Sequence, residues 1–255
     1  MAKMIHRGIA VTALAALLLG GAALPARAQA IAGDSGQQIL QELRAIRQLL
    51  EAQQRNAAPR AAQAAADDKV SMAFQAGSQA LGRADAPLVM VEYTDYECPF
   101  CRQFHLGSFE QIKKSYIDSG KLRYVSRDFP LEMHPNALRA AVAGRCGAEQ
   151  EKFWELRHSM IVNAGQLKPD HILGYAKNLK LDVGKFRGCM ESGRLLDAVE
   201  SDMAEGRAAG VSGTPTFVIG RLANGRLEGV RMVGAMPYMV FAAKLDEMLA
   251  AAKAN

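Results

Sequence analysis

The sequence predicts an α/β protein: a small sheet interrupted by an all-helical block and preceded by a lone amphipathic helix. Three observations carry this reading. Apolar, β-branched runs at 86–95 and 121–129 flank a helical pattern, and similar runs return at 214–234. Residues 134–208, between them, show only helical patterns. The order β-α-β, helical block, β-β-α is what a single sheet with a helical insertion produces.

The chain opens "MAKMIHRGIAVTALAALLLGGAALPARAQA". Lys3 and Arg7 precede an apolar run that ends at Pro25, and small residues follow around Ala26, Ala28 and Ala30. This is the three-part pattern of a secretory signal peptide, with cleavage expected after Ala28 or Ala30. The run falls short of the ~20 residues a membrane span needs. Without residues 1–30 the basic count falls from 31 to 28, against 26 acidic residues. So even a balance, with no basic run interleaved with aromatics, gives no basis for nucleic-acid binding. Export also places the chain where disulfides persist.

Residues 35–55, "SGQQILQELRAIRQLLEAQQR", put Ile39, Leu43, Ile46 and Leu50 on one helical face. Such a stripe needs a partner, and the reading is a homo-oligomer formed through residues 35–55, with docking on its own domain as the alternative. The Ala-rich stretch 56–69 reads as a linker. Next, "APLVMVEYTD" reads as a buried strand, "SFEQIKKSYIDSGK" (108–121) as a helix closing near Gly120, and "KLRYVSRDF" as a second strand. The helical block follows. "TPTFVIG", a turn at Asn224–Gly225 and "RLEGVRMVG" form a hairpin pattern, and "PYMVFAAKLDEMLAAAK" reads as a closing helix. The expected organisation is a signal peptide (1–30), an amphipathic helix (31–55), a linker (56–69), a sheet-bearing domain split over 70–130 and 209–255, and a helical insertion (131–208).

Of the four cysteines, two form Cys98-Pro99-Phe100-Cys101, just after the first buried strand and at the start of a helix. At a helix N-terminus, unpaired amides and the macrodipole favour a negative group, so the first thiol ionises readily. The second lies one turn on and can attack a mixed disulfide formed at the first. Cys98 is therefore expected as an exposed nucleophile and Cys101 as a buried resolving thiol. No metal or cofactor is expected. A zinc clip would need two further ligands, and Cys146, Cys189 and the histidines show no paired spacing. His105 is read as a residue exposed on its helix, Phe153 and Trp154 as packed within the helical block, and His134-Pro135 as the start of a helix without chemistry.

The segments "EYTDYECPFC", "RDFPLEMHPNALRAAVAGRC", "KFWELRH" and "GVSGTPTFVIG" together resemble the DsbA family of exported thiol-disulfide oxidoreductases, from about Val70 onward. The resemblance implies a thioredoxin fold with an inserted helical domain. It further implies a cis Thr214–Pro215 peptide beside the Cys98 sulfur, with the Thr214 backbone pairing with the substrate chain. An unaided reading would assign trans, since cis occurs in only about 5–6% of X-Pro bonds. Glu92 matches the family's buried acid, a base for the proton released as Cys101 attacks; the alternative is a strand-edge residue facing solvent. The family's usual lysine partner for that acid is not evident in "KLRYVSRDF". Pro99 and Phe100 tune the couple, Phe100 offering the Cys98 thiolate less stabilisation than a histidine would. Cys146 and Cys189, both in the helical block, pair most simply with each other, as in some DsbA-like proteins, closing a loop worth about 2–4 kcal/mol; two buried free thiols are the alternative.

The function expected is thiol-disulfide exchange with exported proteins in the periplasm. A monomer kept oxidised by a membrane redox partner would be an oxidase; an oligomer kept reduced would be an isomerase or reductase. The stripe at 35–55 and the Thr before Pro215 favour the second, as in ScsC-like members. The non-enzymatic alternative is a copper-binding thiol protein.

Overall fold

The computed structural model describes residues 36–49, 51, 68–74, 77 and 79–253. The predicted signal peptide, Leu50 and most of the linker lie outside the described residues. The chain divides into two units, residues 1–61 and residues 62–255. In the first, residues 36–49 form helix α1. Ile39, Leu43 and Ile46 keep more than half of their surface exposed, at 58%, 55% and 52%.

The second unit is built on a six-stranded sheet of order β1-β6-β5-β3-β4-β2. Its strands are β1 (Lys69–Ala73), β2 (Ala80–Leu81), β3 (Leu88–Thr94), β4 (Leu122–Asp128), β5 (Thr216–Ala223) and β6 (Arg226–Val233). β3 and β4 run parallel, from Leu88 opposite Leu122 to Thr94 opposite Asp128. A parallel pair requires a crossover. Here it is α2, which runs from Pro99 to Ile117 with π-turns at His105–Phe109 and Lys113–Ile117. It ends before Gly120, whose φ of 74° suits glycine. β5 and β6 join through Asn224–Gly225, with φ of 52° and 76°, the two positive angles of a type I′ hairpin. α8 (Tyr238–Lys253) closes the chain.

All seven residues of β3 are buried, because both faces of the sheet are covered. Leu88 and Met90 pack under α2 and α8 with Phe104, Phe217 and Phe241. Val89, Val91 and Tyr93 point the other way, among Val125, Val218 and Leu227. Glu92 and Thr94 continue the first set by strand alternation, which brings them to the side that α2 covers. β1 and β2 were not expected from the sequence. β1 is an edge strand with only Met72 fully buried, and β2 has two residues, so neither carries a strand pattern. β1 also begins one residue inside the predicted linker.

Between β4 and β5 lie five helices: α3 (Ala137–Ala148), α4 (Phe153–Val162), α5 (Pro169–Asn178), α6 (Val183–Glu191) and α7 (Leu196–Ala208). Ala140, Leu156, Met160, Ile172, Phe186 and Val199 form their core. Cys146 of α3 and Cys189 of α6 are joined in a disulfide. At the seam with the sheet, Arg145 of α3 reaches Asp128 of β4 at 2.7 Å and Asp202 of α7 at 2.5 Å. Burial raises the Asp128 pKa to about 6 against the pull of Arg145.

Candidate active site

Cys98 caps the N-terminus of α2 in an extended conformation, with Pro99 at the first helical position. Pro99 lacks an amide hydrogen, so it costs that end nothing and its fixed φ starts the helix. The turn before it is held by Asp95, whose side chain accepts the Glu97 amide at 2.7 Å and whose carbonyl accepts the Cys98 amide at 3.2 Å. Asp95 also receives the Leu131 amide at 2.8 Å and His134 Nδ1 at 2.7 Å, which ties this turn to the loop after β4.

Cys98 and Cys101 are both thiols in this structure. The Cys98 sulfur lies 3.4 Å from the Thr214 carbonyl oxygen, next to the cis Thr214–Pro215 peptide. The Cys98 pKa is lowered to about 5, first by a hydrogen bond from Cys101, then by Thr214 and the amides of Cys101 and Phe100. Cys101 goes the other way, raised by burial and by its negative neighbours Cys98 and Glu92. The Asp95 amide donates to its sulfur at 3.5 Å. At neutral pH the pair thus holds one thiolate and one thiol, the arrangement that thiol-disulfide exchange requires. The Phe100 side chain is exposed and has no polar group of its own to offer the thiolate, which it helps only through its amide.

Behind Cys101 lies a buried polar cluster. Glu92 is fully buried and accepts from the Tyr124 hydroxyl and from Arg157, both through Oε2. Burial raises the Glu92 pKa, and Arg157 and Tyr124 oppose that rise. Arg157, itself fully buried on α4, reaches His105 Nδ1 at 3.1 Å. His105 Nε2 meets His158 Nδ1 at 2.9 Å. The guanidinium only donates, so His105 Nδ1 accepts and its proton sits on Nε2, directed at His158. Burial and the adjacent Arg157 push the His105 pKa down to about 3, so it stays neutral.

Residues 75–225 match the family model described as Thioredoxin. The chain belongs to the thioredoxin family. Among solved structures it resembles alpha-DsbA1 of Wolbachia pipientis, with 25% identity and a TM-score of 0.62 over 69% of this chain and 92% of that one. BdbD of Bacillus subtilis, 21% identical with a TM-score of 0.62 over 71% and 98%, shares the fold. Among curated proteins, Na(+)/H(+) antiporter NhaA 3 of Salinispora tropica is 36% identical over 146 residues, covering 57% of this chain and 21% of the relative. This chain spans about a fifth to a quarter of the length of the curated relatives it matches. Among the described residues no helix is long and apolar enough to cross a membrane.

The thioredoxin fold with its DsbA-like helical insertion explains which expectations the structure meets. It brings Cys98, Cys101, Thr214, Pro215 and Glu92 into one site, and it buries Glu92, excluding the solvent-facing alternative. It corrects the expectation of an exposed Cys98: the residue is 3% exposed, because the loop before the cis-proline lies over its sulfur. His105 is likewise buried rather than exposed, drawn in by Arg157 and stacked on Phe109. Phe153 packs in the helical block as expected, against Gly144 of α3. Trp154 instead packs with the sheet core, near Tyr124 and beneath Arg157. His134 does carry a polar role, through Asp95. The partners of Glu92 are not apparent from sequence, although both lie in quoted segments: Tyr124 in "KLRYVSRDF", in place of the family's lysine, and Arg157 in "KFWELRH".

Proposed function

We propose that this thioredoxin-family chain exchanges disulfides with exported proteins. The Cys98 thiolate attacks a substrate disulfide and forms a mixed disulfide while one substrate thiolate leaves. Cys101, deprotonated toward Glu92, then attacks the Cys98 sulfur; the Cys98–substrate bond breaks, a second substrate thiolate leaves, and Cys98–Cys101 is oxidised. Run in reverse, the same steps donate a disulfide. Thr214, beside the cis peptide, offers its backbone to the substrate chain, and Pro215 holds that backbone next to the sulfur. The single observation that carries the reading is the placement of the Cys98 sulfur at the start of α2, 3.4 Å from the Thr214 carbonyl oxygen beside the cis peptide, with Cys101 buried one turn on.

The direction we favour is isomerase or reductase, in the periplasm after removal of residues 1–30, with a membrane redox partner restoring the reduced pair. One feature supports it. α1 presents Ile39, Leu43 and Ile46 as an exposed apolar stripe, suited to a homo-oligomer that gathers several sites around one client.

Reactivation of a client protein carrying scrambled disulfides tests both parts. Wild type should reactivate it, and Cys98→Ala should not. Charging the stripe with I39E, L43E and I46E together should lower the mass in solution and abolish reactivation, while leaving simple dithiol oxidation intact. A stripe variant of unchanged mass and full isomerase activity would refute the oligomeric part alone.

A further inference from the structure

We propose that the Thr94 hydroxyl is the proton relay between Cys101 and Glu92. This rests on the exchange reading above and adds a residue to it. Three placements point to it. Strand alternation puts Glu92 and Thr94 on the same face of β3, the face α2 covers. The amide of Asp95, the next residue, contacts the Cys101 sulfur at 3.5 Å, so Thr94 stands between the carboxyl and the thiol along the chain. Thr94 is 1% exposed and its hydroxyl closes no hydrogen bond among the described residues.

An unpaired buried hydroxyl is unfavourable, and it has an unpaired counterpart. Glu92 commits Oε2 to Tyr124 and Arg157 and leaves Oε1 without a partner. Burial raises the Glu92 carboxyl and the Cys101 thiol alike, and the Thr94 hydroxyl opposes that rise at each. Arg157 cannot itself carry the proton, since a guanidinium does not deprotonate in a protein. A hydroxyl both accepts and donates.

The step balances. As Cys101 attacks the mixed disulfide, its proton passes to the Thr94 oxygen while the Thr94 proton passes to Glu92. The sulfur–sulfur bond between Cys101 and Cys98 forms, the bond from Cys98 to the substrate breaks, and the electron pair leaves with the substrate thiolate. When the pair is next reduced, the same proton returns through Thr94 to the departing Cys101 thiolate. Glu92 stores the proton within the fold, and none crosses from solvent during resolution.

An aryl disulfide, dithiobis-nitrobenzoate, separates the two attacks in one stopped-flow trace. The first release of coloured thiolate reports Cys98, and the second reports Cys101 resolving the mixed disulfide. In Thr94→Val the first release should match wild type and the second should slow by about tenfold to a hundredfold, consistent with loss of a positioned proton carrier. The slowed phase should also rise about tenfold per pH unit, because hydroxide then does the deprotonation. Thr94→Ser should restore the wild-type rate and its shallower pH profile. A second release at the wild-type rate and profile in Thr94→Val overturns the relay and leaves the exchange reading standing. Should the first release change in that variant, Thr94→Ala makes the same comparison, and a wild-type second phase there overturns the relay equally. A wild-type protein that gives the first release and never the second overturns both.

Discussion

At the residue scale, Cys98 and Cys101 are three positions apart and yet titrate in opposite directions. Cys98 gathers donors from the start of α2 and from Cys101, while Cys101 is sealed against the sheet beside a carboxylate. Alkylation of the reduced protein should therefore follow a single ionisation near pH 5. The rate climbs as pH rises through that value and then levels, because a lowered thiol pKa means thiolate above it. Iodoacetamide kinetics against pH measure this, and a midpoint at the ordinary ~8.5 of a cysteine would contradict it. The motif and its place before a helix were legible in sequence, since they depend on local chain geometry. The burial of Cys98 was not, because it depends on Thr214, 116 positions away. The same distance problem hid Arg157. Its pair with Glu92 is fully buried, and removing one member of such a pair costs about 3–5 kcal/mol. Arg157→Met should lose stability of that order in urea melts, and adding Glu92→Leu should recover most of it. An Arg157→Met protein as stable as wild type would show that Glu92 is not held by this pair.

At the scale of elements, β3, β4, the β5–β6 hairpin and α8 were all readable from runs of residues. Their patterns are strong because both faces of the central strands are buried. β1 and β2 sit at the sheet edges and left no such trace. The helix opened by the cysteine motif and the helix read over 108–121 are one element, α2, running from Pro99 to Ile117. Residues 99–107 look unlike an amphipathic helix because they serve the site: Cys101, Phe104 and His105 are buried around it. In the helical block, the bridge between α3 and α6 closes a loop of 43 residues. Loop-closure entropy assigns it about 4 kcal/mol. Replacing Cys146 and Cys189 by serine should lower the unfolding free energy by roughly that amount, measured by denaturant titration. Cys98 alkylation should be unaffected, since the bridge touches no group of the exchange site. A parallel loss of Cys98 reactivity would mean that the block and the site are coupled.

At the scale of the whole molecule, one sheet carries the buried acid and leads into both the nucleophile, after β3, and the cis-proline loop, before β5, while the helical insertion supplies the arginine that pairs with that acid. The architecture was legible because an uninterrupted helical block between two strand-bearing segments has few alternative folds. The polar cluster was not, because its members come from β3, β4, α2 and α4 and meet only once the insertion has packed. The central claim is that Cys98–Cys101 is a working redox couple rather than a structural staple. Its reduction potential, measured by equilibrating the full chain with glutathione, tests that claim most directly. A two-electron transition confined to Cys98 and Cys101, between the about −120 mV of DsbA and the about −270 mV of thioredoxin, is the predicted result, with Cys146–Cys189 remaining closed throughout. A potential below about −300 mV, the range of structural disulfides, would contradict it.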